Sequence, residues 1–281
     1  MEWERVPGPV RSCCETLWAA GEAACPVGGC VRDSLLGRTP GDWDVATSAR
    51  PETVQALFAR TVPTGLRHGT VTVLLDGMSL EVTAFRREEG YSDGRRPDRV
   101  VFGVGLTEDL ARRDFTINAM ALLPDGTVAD PFGGRADLVE RVIRCVGDPE
   151  RRFREDALRM LRAVRFAAQL GFAIEEETAA ALRREAAGLE QVSGERVRVE
   201  LEKTLLSQRP ELCALPVELG MLARFGAPAR QVDLTELAVL PATPEERWRG
   251  FCQKTGLDIT AMPVERRLRR AVLAEPSPVP A

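Results

Sequence analysis

An α+β protein, with an α/β head followed by an all-helical half, is the fold class the sequence predicts, on three observations. Two β-rich runs in "GTVTVLLDGMSLEVTAF" flank Asp76-Gly77, a dipeptide suited to a tight hairpin turn. The glycine pair Gly28-Gly29 sits where an apolar run gives way to helical spacing. From Pro149 onward three successive segments carry helical periodicity.

Taken in order, residues 10–24 predict a short helix. "ACPVGGCVRDSLLG" predicts a strand end, a glycine turn and a helix with Val31 and Leu35 at i and i+4. "DWDVAT" reads as a strand and "SARPETVQALFAR" as a helix with Pro51 near its first turn. The hairpin follows. "REEGYSDGRRPDRV" is polar and glycine-containing, which predicts an exposed, mobile loop. "TEDLARRDFTINAMALL" predicts a helix and "PDGTVADPFGG" a second small hairpin or turn. Helices are expected over "PERRFREDALRMLRAVRFAAQLGF", "TAAALRREAAGL" and "SGERVRVELEKTLLS". The division expected is a head over 1–145, a helical part over 146–273 and a disordered proline-rich tail over 274–281.

No apolar run approaches the roughly 20 residues of a membrane span. The N-terminal stretch carries acids and has no apolar signal core, so a cytoplasmic location is expected. Seven cysteines without a CxxC pair and a single histidine, His68, exclude a Cys/His zinc site and predict reduced, core-filling thiols. His68 itself reads as structural. Net charge is −4, yet between Arg141 and Leu170 eight arginines face four acids. Arginine suits bidentate phosphate contacts, although a compositional preference explains such an excess equally well.

Asp42 and Asp44 stand at i and i+2 of the expected strand, which sends both carboxylates to one face and Trp43 and Val45 to the other. Like charges held together are costly unless a cation lies between them, and a hard divalent ion such as Mg²⁺ takes oxygen ligands. Alone the pattern is weak, since most such pairs are solvated. Glu81, on the second hairpin strand, joins them if that strand lies beside theirs; a rim glutamate is the other reading. Three carboxylates around a metal suit phosphoryl or nucleotidyl transfer. Gly28 and Gly29 let backbone approach a phosphate, and Arg32 lies one turn further on.

Together these residues resemble the class II tRNA nucleotidyltransferase and poly(A) polymerase family. The likeness covers residues 25 to 205 as five motifs in the family's order. "VGGCVRDSLLGRTPGDWDVAT" is similar to the triphosphate turn and metal-binding motif, and "ARRDFTINAMAL" to the ribose motif. "DPFGGRADL" with "RVIRCVGDP" resembles the connecting motif, "RFREDALRMLRAVRFAAQLGF" the base-selecting neck helix and "SGERVRVELEKTLLS" the last helical motif.

The resemblance implies a polymerase-beta-like nucleotidyltransferase head with a mixed sheet and an all-helical neck and body. It implies nucleotide binding by Gly28, Gly29, Arg32, Arg113, Asp114 and Asn118, metal binding by Asp42 and Asp44, and base reading by Asp156 and Arg159, with Arg162 and Arg165 beyond them. Three residues apart on the expected helix, Asp156 and Arg159 are neighbours on one face, offering an acceptor and a donor fork to a base edge. Pairing of Arg159 with Glu155 is the structural alternative. The activity implied is addition of CTP and ATP to a tRNA 3′ end with Mg²⁺. The family alternatives are CC addition and poly(A) synthesis, and a silent RNA-binding protein is the non-enzymatic one. The complete loop "REEGYSDGRRPDRVVF" at 87–102 favours CCA over CC-only addition. About 75 residues follow "KTLLS", fewer than the family devotes to its tRNA-gripping part, so a weak hold on the tRNA elbow is expected.

Overall fold

The structure, a computed structural model, describes residues 3–91 and 97–274; the centre of the expected loop and the tail beyond Ala274 lie outside the described residues. The chain forms two units. The first takes the described residues up to Glu140 together with Arg144–Gly147, and the second takes Arg141–Ile143 and the chain from Asp148 on.

In the first unit α1 (Gly8–Ala19) buries Val10, Cys13, Cys14 and Leu17, an i, i+3, i+4, i+7 stripe. There follow β1 (Ala24–Val27), α2 (Gly29–Leu35), β2 (Asp44–Thr47), α3 (Pro51–Leu57), β3 (Thr61–Gly65), β4 (Thr70–Leu75) and β5 (Met78–Ala84). Next come β6 (Arg86–Glu89), β7 (Arg99–Phe102), α4 (Leu106–Ala111), β8 (Ala121–Leu122), β9 (Val128–Ala129) and α5 (Gly134–Glu140).

Seven strands make one mixed sheet, in the order β3-β4-β5-β2-β1-β8-β9. All its pairs are antiparallel except β2 with β5. The β4–β5 turn uses Asp76 (φ 46°) and Gly77 (φ 81°), the two left-handed residues that a tight hairpin needs. Cys25, Val27, Ala46, Phe85, Leu110, Ala119, Ala121 and Val146 close into one core cluster.

Two expectations fail here for physical reasons. The expected loop contains a hairpin, with Arg86 opposite Phe102 and Glu89 opposite Arg99. Its charged strand is held by ion pairs such as Arg86–Glu88, a polarity that hides strand character from an apolar pattern. The helix expected over "TEDLARRDFTINAMALL" stops at Ala111, continues as a single 3-10 turn at Thr116–Asn118 and ends in β8. Phe115, Ile117, Ala119 and Met120 are fully buried and the intervening Thr116 and Asn118 are buried with them, so this run has no solvent face for a helical period to mark.

The second unit comprises β10 (Val142–Ile143), α6 (Pro149–Glu155), α7 (Leu158–Leu170), β11 (Ala173–Ile174), α8 (Glu176–Glu185), α9 (Gly194–Leu205), α10 (Ala214–Glu218), α11 (Pro244–Thr255) and α12 (Arg266–Leu273). The short β10 and β11 pair in parallel. Asp148 caps α6 by accepting from the Arg151 amide, with Pro149 in the first turn. Trp248 is fully buried and donates its indole N–H to Glu202 at 3.1 Å. Among the described residues no helix is long and apolar enough to cross a membrane.

Candidate nucleotide and metal site

β1 runs directly into Gly28, whose φ of 79° and ψ of −129° turn the chain into α2. The Gly28 amide donates to the Met120 carbonyl at 3.0 Å. The backbone angle demands glycine, and a Cβ on Gly28 would also lie 2.7 Å from Nη1 of Arg113 and displace that guanidinium. Gly29 differs: its Cβ would meet only Nη2 of Arg32, at 3.6 Å. Gly28→Ala should therefore cost roughly 1–3 kcal/mol of stability, the range for such a backbone strain, while Gly29→Ala stays close to wild type. Paired thermal melts check this, and equal losses at the two positions would refute the account.

Around that turn the sequence-distant residues of the ribose motif assemble. Asn118 accepts from Nη1 of Arg32 at 2.6 Å and donates to Asp114 at 3.0 Å. Arg32 is also braced by Asp33 at 2.8 Å. Arg113 reaches Asp109 at 3.5 Å, and its Nε is buried with no hydrogen-bond partner among the described residues.

The carboxylates come next. In the parallel β2–β5 pair Asp44 stands directly opposite Glu81, so the two side chains leave the same face of the sheet. Asp44 is also opposite Val27 of β1, one residue before the glycine turn. Burial pushes the Asp44 carboxyl above the ordinary aspartate range; Glu81 pushes the same way, Arg113 opposes and Asp42 adds. Asp42 itself is exposed and lies before the strand, which begins only at Asp44. Among the described residues no three His, Cys, Asp or Glu side chains form a ready metal cage. The donor set is nonetheless all oxygen and mutually repulsive, which fits a hard divalent cation.

The second unit holds the remaining candidates, and here the helix breaks. Asp156 ends α6 in an extended conformation (φ −151°, ψ 101°), and α7 starts two residues later. Asp156 and Arg159 therefore do not share one continuous helix face. The break has a cause: Oδ1 of Asp156 accepts from the Leu158 amide at 3.1 Å, and Arg196 grips the carboxylate at 3.1 and 2.7 Å. Arg159 is buried and pairs with Glu155 at 2.9 Å. Arg162 lies over the Phe166 ring at 5.4 Å. Arg165 is buried against Glu200 and Gln169 and over the same ring at 4.0 Å.

Much of the arginine excess is thus internally paired, since Arg144 meets Asp137, Arg151 and Arg152 meet Glu155, and Arg154 meets Glu150 and Glu185. Sequence reasoning missed Asp109, Arg196 and Glu200. Asp109 had a signal, three and four residues before Arg112 and Arg113; Arg196 and Glu200 had none. The thiols near the turn are inert, because burial pushes Cys25 up to about 12 and Cys30 up to about 11. His68 is exposed and takes part through its carbonyl, which accepts from Arg86.

Comparison with known proteins gives a consistent picture. The family described as the poly A polymerase head domain matches residues 25–144, and the one described as the probable RNA and SrmB-binding site of polymerase A matches 171–225. A CCA-adding enzyme of Lactiplantibacillus plantarum is 56% identical over 231 residues, covering 81% of this chain and 56% of that protein. One from Anoxybacillus flavithermus is 48% identical, covering 84% of this chain and 61% of that protein. Among solved structures, the Bacillus stearothermophilus CCA-adding enzyme in complex with CTP superposes with a TM-score of 0.79 at 38% identity. That match covers 94% of this chain and 68% of the other. A tRNA nucleotidyltransferase complexed with a primer tRNA and an incoming ATP analog matches with a TM-score of 0.60 at 31% identity, covering 71% of this chain and 58% of the other. The chain spans little more than half the length of the curated relatives it matches.

Proposed function

We propose that this chain, which belongs to the tRNA nucleotidyltransferase and poly(A) polymerase family, adds CTP and ATP to the 3′ end of tRNA without a template. The observation that carries the reading is the Asp44–Glu81 pair, set beside the Gly28 turn and coupled electrostatically to Arg113. Repelling carboxylates next to a guanidinium with a buried, unpartnered Nε are what a metal–triphosphate complex would satisfy.

In this reading Asp42 and Asp44 hold Mg²⁺, with Glu81 supporting them or the attacking hydroxyl. When bound, the ion supplies charge neutralisation at the phosphates and acidifies the primer hydroxyl. The tRNA 3′-hydroxyl oxygen attacks the α-phosphorus of the nucleotide, the bond to the β-phosphate oxygen breaks, pyrophosphate leaves and the hydroxyl proton passes to carboxylate or solvent. Gly28 and Gly29 let the backbone approach the triphosphate, and Arg32 and Arg113 offset its charge. Asp114 and Asn118 orient the ribose.

Asp156 and Arg159 read the base, the former with its carboxylate fixed by Arg196; Arg162 adds to the nucleotide-binding set, and Arg165 serves it through the helix they share, which its pair with Glu200 anchors. Residues 1–145 are the catalytic head, and 146–273 select the nucleotide and contact RNA. The test is incubation of the chain with tRNA lacking its 3′ end, with CTP and ATP separately and together, with Mg²⁺ or EDTA, followed by product sequencing. Metal-dependent C, C, A addition is expected. C-only or oligo(A) products would move the chain to the family alternatives, and RNA binding without incorporation would make it a silent binder.

A further inference from the structure

Asp109 is a fully buried carboxylate that the mechanism above leaves unused. Its two oxygens have different work. Oδ1 accepts from Nε of Arg112 at 2.9 Å and from the Arg86 amide at 3.3 Å. Among the described residues, Oδ2 hydrogen-bonds to Nη2 of Arg113 alone, at 3.5 Å. The other terminal nitrogen of Arg113 occupies the space that a Cβ on Gly28 would need. The buried acid therefore bonds one terminal nitrogen of a guanidinium whose other terminal nitrogen packs over the glycine turn.

Without Asp109, Arg112 would keep Glu88, which also faces Arg86, whereas Arg113 would keep no ion pair among the described residues and only its longer-range coupling to Asp44. Arginine is a long side chain with much rotamer freedom, so a fixed carboxylate behind it is the cheapest way to keep its fork aimed. We propose that Asp109 is a positioning residue that holds the Arg113 guanidinium against the Gly28 turn, ready for the nucleotide's phosphates. The assignment rests on the nucleotide-binding reading above.

A four-corner cycle tests it: wild type, Asp109→Asn, Arg113→Gln and the double variant, each measured for equilibrium CTP binding with Mg²⁺ and for incorporation. Asp109→Asn should weaken CTP binding about tenfold, a coupling of ordinary size for contacting residues, with kcat changed far less than KM. In the Arg113→Gln background the same change should cost less than about twofold, because its target is gone. Asp109→Glu, which keeps the charge and displaces it, should fall between wild type and Asn and serves also if Asn does not fold. Equal losses in both backgrounds, or no loss in either, would overturn the positioning role while leaving the functional reading intact. Failure of the wild-type chain to bind CTP would overturn the functional reading and this assignment with it.

Discussion

Asp44→Asn should lower nucleotide incorporation by at least about a thousandfold, the scale on which a single preorganised charge at a reacting phosphate is worth. It should also make the metal-free protein slightly more stable. The sign follows from the direction of the shift: burial, Glu81 and Asp42 raise the folded-state pKa of Asp44 above its unfolded value. The native state then binds that proton more tightly, so this group's contribution to stability falls as pH rises from the ordinary aspartate range through the raised value. At pH 7 asparagine removes the penalty. The gain should be small because the side chain is only half-buried, about 2–4 °C in melting temperature, equivalent to about 1 kcal/mol. Below pH of about 3.9 both side chains are neutral and the gain should vanish. Activity within tenfold of wild type would remove Asp44 from the metal set. A lower melting temperature at pH 7 would instead make it a structural contact.

Arg165→Met is expected to destabilise the chain by about 3–5 kcal/mol, because it strands the Glu200 carboxylate in the interior. Arg165 is 8% exposed and Glu200 5%, so water reaches neither well. Adding Glu200→Met should recover most of the loss, since a buried pair replaced whole by apolar side chains of similar volume is often neutral. CTP affinity should change less than about threefold in the double variant, as the helix that bears Arg165 is then repacked rather than opened. Thermal melts and CTP titrations decide between two roles for this arginine. An unchanged melting temperature with a tenfold loss of CTP affinity would show that Arg165 serves the nucleotide and only secondarily the fold.

The parts legible in the sequence were those written in short-range patterns. Asp76-Gly77 announced its hairpin, and Gly28-Gly29 announced the strand-to-helix turn, because each depends on two neighbouring residues. The conditional expectation for Glu81 needed one long-range fact, the parallel pairing of β2 with β5, which no local pattern encodes. Asp156 misled for the opposite reason. Its neighbours all favour helix, but a carboxylate that can bond its own Leu158 amide and a guanidinium forty residues away ends the helix regardless. The β6–β7 hairpin escaped because its first strand is charged on both faces, and the run from Phe115 to Met120 because its polar Thr116 and Asn118 are buried along with their apolar neighbours.

The pairing of β2 with β5 ties two properties of the chain to one alignment. Side chains of a strand change face at every residue, so a slip of β5 by one position would turn Glu81 inward and bring Leu80 or Val82, both fully buried now, to the face of Asp44. A chain misaligned in this way would lose its site and its core in the same step. Quality control by folding is then also quality control of chemistry: copies that survive cellular surveillance for exposed apolar surface have the acidic pair in place.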